Sequence, residues 1–234
     1  MGLDVGLEEI VKTVRELGSN KILPPYPSIT LGAVDMSPYD VASIYQTFAA
    51  NGFHSPLGSV LAVLDKDGNP LSRYALDVER QIDPAAIALV NVTMQGVTEQ
   101  GTARRLATQL DIKVAGKTGT SDDLRDSWFA GFSGDTVAVV WTGYDDNRPS
   151  GLTGSSGAMR IWSKVIAAVS SRSYVTAMPD NIEMRWIDRE SGLLSGKQCE
   201  NAIELPFIRG SAPESQAECS GAASSNWFKS IFGD

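Results

Sequence analysis

The chain has 234 residues, 28 acidic against 20 basic, for a net charge of −8 at neutral pH. That balance excludes the basic stripe of a nucleic-acid surface, and one histidine with two cysteines leaves no donor set for a histidine or zinc cluster. A hydrophobic content of 42% supports a sizeable core, yet the best apolar run, Thr136–Thr142, is only strand-length and far short of a membrane span.

Met1-Gly2-Leu3-Asp4 lacks the basic and apolar parts of a secretion signal, so the residues alone point to the cytoplasm. Leu3, Leu7, Ile10, Val11, Val14 and Leu17 recur at helical spacing and predict one amphipathic helix over 3–17, stopped by Gly18. Pro24-Pro25-Tyr26-Pro27 predicts a rigid extended connector. A second helix opens with Ser37 as N-cap, Pro38 at the first helical position and Asp40 three residues after the cap, and ends at Asn51-Gly52. Val60–Leu64 and Leu71–Tyr74 flank a turn and read as a hairpin. Asp83-Pro84 opens a third helix, expected to end near Gly96, and Thr98–Arg105 reads as a polar loop.

Three strand-like runs follow, Ile112–Thr120, Ser127–Phe132 and Thr136–Tyr144, whose short links favour an antiparallel meander. A fourth helix, capped by Ser155 or Ser156, carries Ala158, Ile161, Trp162, Val165, Ile166 and Val169 on one stripe. Beyond Tyr174 the composition turns acidic and rich in small residues, with short strand signals at Glu183–Ile187 and Ala202–Leu205 and a closing Asn226–Phe232 segment. The expected organisation is an α+β body, residues 1–174, and a small β-rich appendage, residues 175–234.

The chemistry-bearing stretch is Gly116-Lys117-Thr118-Gly119-Thr120-Ser121 at the end of the first meander strand. Lys-Thr-Gly alone is common. Its context is specific: Asp126-Ser127-Trp128-Phe129-Ala130-Gly131 on the next strand, then a third strand, then Gly154-Ser155-Ser156-Gly157-Ala158-Met159 opening a helix. Upstream stand Leu31-Gly32-Ala33, Ser37-Pro38, Tyr45-Gln46-Thr47-Phe48-Ala49, Asn51-Gly52 and Gly101-Thr102-Ala103.

Over residues 3–172 this set resembles the C-terminal half of the transpeptidase domain of class A bifunctional penicillin-binding proteins, most closely the 1b type. The resemblance implies a penicillin-binding transpeptidase fold with an antiparallel meander flanked by helices. It also implies peptidoglycan D,D-transpeptidase activity at the periplasmic face of the inner membrane. The partners implied are stem peptides, β-lactams, the preceding part of the parent chain and cell-wall regulators; no cofactor or metal is implied.

An edge strand can take an extended peptide as an added strand, and Gly119 permits close approach. Lys117 supplies positive potential for a terminal carboxylate and lowers the cost of deprotonating nearby hydroxyls. In the family resembled, the hydroxyls at Thr118 and Thr120 bind that carboxylate and the N–H of Thr120 completes an oxyanion hole. Strict alternation, however, puts Lys117 and Gly119 on one face and both threonines on the other.

The family's nucleophile lies in Ser-x-x-Lys, with the lysine as base. Three residues before the lysines stand Glu9, Gly18, Val63, Leu110, Val114, Ile161, Leu194 and Asn226, none of them serine. Ser-x-Asn occurs only as Ser224-Ser225-Asn226, in the low-complexity tail. The chain is therefore expected to be part of a longer protein and inactive by itself. Two rival readings stay open: a fragment of a serine β-lactamase or carboxypeptidase, and a non-catalytic peptide- or partner-binding module.

The 1b-type tail also carries a cysteine pair, which implies a disulfide between Cys199 and Cys219 in an oxidising compartment. His54 reads as a loop histidine, and Trp128, Trp141 and Trp162 read as core residues. Arg104-Arg105 reads as a solvated loop and Asp145-Asp146-Asn147 as a turn. Trp227-Phe228 with Ile231-Phe232 reads as an amphipathic segment docking on the body or a partner.

Overall fold

Glycine divides the first helical stretch. Gly6 adopts φ 97°, so the single helix expected over 3–17 is instead two, α1 (Gly2–Val5) and α2 (Leu7–Glu16). Gly18, at φ 108°, closes α2: its N–H donates to Arg15 O and that of Ser19 to Val14 O, the paired closure that left-handed glycine permits. The connector after Pro24 is not extended throughout, because Pro27–Leu31 tightens into a 3-10 turn that buries Ile29 beside Val11 and Leu23.

Helix α3 (Pro38–Ala49) starts as its sequence requires. Ser37 Oγ accepts from the Asp40 N–H, and the Asp40 carboxylate accepts from the Ser37 N–H. Strand β1 (Phe53–His54) pairs antiparallel with β4 (Glu79–Arg80), and between them β2 (Ala62–Leu64) and β3 (Pro70–Arg73) form the hairpin. His54 thus belongs to a strand rather than a loop, its Nδ1 3.0 Å from the buried Thr47 hydroxyl. Helix α4 (Pro84–Glu99) is capped by Asp83 and passes through Gly96 without ending. After a turn comes the short α5 (Leu106–Gln109), a helix not expected between the Thr98–Arg105 loop and the meander.

The meander is β5 (Ala115–Thr120), β6 (Ser127–Phe132) and β7 (Val137–Thr142), ordered β5-β6-β7 and antiparallel throughout. Residues 112–114 precede the ladder instead of joining it. β6 is central and buried along nearly its whole length, as expected of a strand covered on both faces. On one face Phe132 meets Tyr174 and the α3 residue Tyr45. On the other, Phe129 packs 4.7 Å from Trp162 of α6 (Ala158–Val169), with Leu106, Met159 and Ile166 around them.

Helix α6 takes its cap from outside itself. Neither Ser155 nor Ser156 caps its first residue; the N–H of Ala158 donates to Ser127 Oγ of β6, and that hydroxyl donates to Thr153 O. Sheet and helix are therefore locked at one buried side chain.

The computed structural model describes residues 2–219 in two units, 2–177 and 178–219. In the second, β8 (Ile182–Asp188) and β9 (Ala202–Ile208) form an antiparallel pair, and Cys199 is disulfide-bonded to Cys219 with the Cα atoms 5.8 Å apart. Ser224-Ser225-Asn226 and the Asn226–Phe232 segment lie outside the described residues. Among the described residues no helix is long and apolar enough to cross a membrane.

Candidate functional site

β5 is an edge strand: β6 pairs with one side of it, and among the described residues no strand pairs with the other. The ladder fixes what that free side presents. Ser121 N donates to Asp126 O, and bonded and non-bonded pairs alternate along an antiparallel ladder. Gly119–Trp128 and Lys117–Ala130 are then the pairs that exchange hydrogen bonds. Thr118 and Thr120, opposite Phe129 and Ser127, turn their N–H and C=O groups outward. A further contact agrees with this parity, since Lys117 Nζ donates to Thr118 O at 2.8 Å.

The side chains follow the alternation read from the sequence. Lys117 and Gly119 share the face of Ala130 and Trp128, and Thr118 and Thr120 share the face of Phe129 and Ser127. The Lys117 ammonium is exposed and makes no ion pair among the described residues. Gly119 lies against Trp128, whose Cβ would stand 3.0 Å from any Cβ added there.

Both threonine hydroxyls are held by residues distant in sequence. Thr118 Oγ1 lies 2.8 Å from Thr102 Oγ1, in the turn between α4 and α5. Thr120 Oγ1 accepts from the Gly154 N–H at 2.9 Å. The glycine is needed there, because a Cβ on Gly154 would come within 2.7 Å of both Gly119 O and Trp128 O.

Behind the strand end, Asp126 organises the turn: one carboxylate oxygen accepts from Trp141 Nε1 at 2.9 Å, the other from Ser121 Oγ at 2.9 Å. Thr102, Gly154 and Asp126 stand in the quoted motifs, but their contacts with β5 are not legible in the sequence. Trp162 is fully buried with Nε1 bonded to Ala138 O, whereas Trp128 and Trp141 are half-buried and 6.2 Å apart. Asp145-Asp146-Asn147 forms the turn after β7, and Arg148 stacks on Tyr144.

Chemically, the site is an outward row of peptide groups at Thr118 and Thr120 with an exposed ammonium beside it that makes no ion pair among the described residues. Such an edge can add an extended peptide through main-chain hydrogen bonds and attract a terminal carboxylate. The described residues contain no serine–lysine pair of the Ser-x-x-Lys kind near it.

Residues 18–166 match the penicillin binding protein transpeptidase domain family. The chain is 33% identical to penicillin-binding protein 1B of Vibrio cholerae over 99% of its own length and 30% of that protein's. It is 33% identical to penicillin-binding protein 1B of Escherichia coli over 97% of its own length and 27% of the other's. In structure it is similar to penicillin-binding protein 1A from Haemophilus influenzae, with a TM-score of 0.82 and 20% identity, covering 92% of this chain and 38% of that one. The chain spans about 30% of the length of the curated relatives it matches.

Proposed function

Since the chain belongs to the penicillin-binding protein transpeptidase domain family, we propose that β5 is the strand on which a peptidoglycan D,D-transpeptidase holds stem peptides ending in D-Ala-D-Ala. The observation that carries this reading is the edge at Thr118 and Thr120, which no strand among the described residues pairs, beside a Lys117 ammonium that makes no ion pair there. The peptide adds to the edge as an extended strand, and its terminal carboxylate is drawn by Lys117 and hydrogen-bonded by the hydroxyls of Thr118 and Thr120. The two hydroxyls reach it around the strand edge, by exchanging their bonds to Thr102 and Gly154. The outward N–H of Thr120 then stabilises the oxyanion that develops on the penultimate carbonyl.

The attacking hydroxyl belongs to a Ser-x-x-Lys segment that the 234 residues do not contain. In the assembled enzyme that serine attacks the penultimate D-Ala carbonyl, the peptide C–N bond breaks, and D-Ala leaves with a proton. The amine of a neighbouring stem then displaces the serine to form the cross-link. β-Lactams occupy the same strand as analogues of the D-Ala-D-Ala terminus. This function goes with a location at the periplasmic face of the inner membrane, and the Cys199–Cys219 bridge fits an oxidising compartment.

Fluorescent penicillin tests the proposal. The chain by itself gives no adduct that survives denaturation. A chimera carrying this chain in place of the matching region of the Vibrio cholerae protein is labelled, and Lys117→Ala removes most of that labelling. A label on the isolated chain, or a Lys117→Ala chimera that is folded by thermal melt and labels normally, contradicts the assignment.

A further inference from the structure

Three cations that make no ion pair among the described residues line one open cleft. This cleft of about 430 Å³ lies between α5 and α6, with buried Met159 and Ser163 at its base and Arg105, Arg160 and Lys164 around it. No carboxylate is among its lining residues, and none of the three cations has an ion pair or side-chain hydrogen bond with another described residue. Arg160 and Lys164 stand four apart on α6, a spacing at which like charges repel and weaken a helix. In a chain of net charge −8, a cleft lined by one sign of charge focuses potential toward an anion that the rest of the surface repels.

The same cleft is built from the segments that hold β5. Thr102, bonded to Thr118, stands three residues before Arg105. Gly154, bonded to Thr120, immediately precedes Ser155, which lines the cleft. Helix α6 is locked to β6 through Ser127 and Ala158, one residue before Met159. The threonine face of the candidate strand and the cationic cleft therefore share their connecting backbone.

We infer that this cleft is a second binding subsite, for the carboxylates that a stem peptide carries upstream of its D-Ala-D-Ala end. The inference rests on the stem-peptide reading of β5 for the identity of its ligand, while its charge requirement stands on the cleft alone. Guanidinium groups from two elements can engage carboxylates with paired hydrogen bonds, with Lys164 as an additional point charge. The cleft orients the peptide body while the edge strand holds the terminus, and the affinity of the whole peptide falls with rising salt.

The experiment uses the full chain and a stem tripeptide, L-Ala-γ-D-Glu-meso-diaminopimelate, amidated at its chain-terminal carboxylate so that it keeps its side carboxylates and offers β5 no carboxylate end. Backbone amide NMR follows its titration, with the tripeptide amidated at every carboxylate and inorganic pyrophosphate as separate arms. The tripeptide with its side carboxylates free shifts the amides around Arg105, Ser155 and Arg160–Lys164, and amidating those carboxylates abolishes the effect. The double variant R160E/K164E, on the exposed side of α6, weakens binding at least tenfold, and R105Q on α5's side weakens it several-fold.

The inference is overturned if the tripeptide leaves the cleft amides unmoved, or if R160E/K164E and R105Q both bind as the parent does. It is overturned equally if pyrophosphate alone binds, which identifies a phosphate site. A D-Ala-D-Ala peptide titrated in parallel reports β5 separately: its loss of binding sites at β5 with the tripeptide result intact counts against the strand and not the cleft.

Discussion

Gly154 faces the backbone of Gly119 so closely that a Cβ on it would stand 2.7 Å from Gly119 O and 2.9 Å from Gly119 N. With the bond from Gly154 N to Thr120 Oγ1, this contact fixes the C-terminal end of β5 against the loop before α6. Gly154→Ala must therefore move one backbone or the other. It is expected to destabilise the fold by about 1–3 kcal/mol, the usual cost of overpacking a filled site. Urea unfolding measures the loss, and the amide shifts should concentrate at residues 118–121 and 152–156; an unchanged midpoint contradicts the packing described.

Burial pushes the Tyr45 phenol up to about 12 from its ordinary value of 10. The neutral phenol is the form the fold accommodates, since its ring packs against Phe48 and Phe132. A raised folded value means that the stabilisation is fully present below about pH 10. It is lost as pH rises through 12. A two-unit difference corresponds to roughly 2–3 kcal/mol. Denaturation midpoints between pH 9 and 12 (about the range set by the phenol) should fall less steeply in Tyr45→Phe than in the parent. Parallel pH profiles for the two proteins count against it.

Within residues 178–219, the disulfide closes a sequence separation of 20 around β9. Replacing both Cys199 and Cys219 by Ser removes that constraint from the unfolded chain and costs about 3 kcal/mol for a loop of this size. Hydrogen exchange at the β8 and β9 amides reads the effect directly. Protection in the double variant should fall by on the order of a hundredfold, the equivalent of that energy; unaltered protection shows that the strand pair holds without the bridge.

What the sequence makes legible follows the range of the interaction. The capping box of Ser37 and Asp40, the glycine stop at Gly18 and the β5-β6-β7 order depend on neighbours or on short turns, and all stand in the structure as read. The cap of α6 is not legible, because its acceptor is Ser127, 31 residues earlier and on a strand. Nor are the partners of the two threonines, Thr102 and Gly154, which lie 16 and 34 positions away. Polar side chains near a helix start, such as Ser155 and Ser156, imitate a local cap that the fold supplies from elsewhere. The alternation of Lys117 and the threonines needs only the period of a strand, and it is retained. The outward direction of the Thr118 and Thr120 peptide groups needs the register as well, which only the folded sheet sets.

Amide hydrogen exchange on the chain with and without an acetylated peptide ending in D-Ala-D-Ala tests the edge strand most directly. The peptide is expected to protect the Thr118 and Thr120 amides, capping its terminal carboxylate as an amide to remove the protection, and Lys117→Ala to weaken binding about tenfold, the loss of one charge-assisted contact. Protection that maps to other amides, or that is indifferent to both the terminal carboxylate and Lys117, contradicts that expectation.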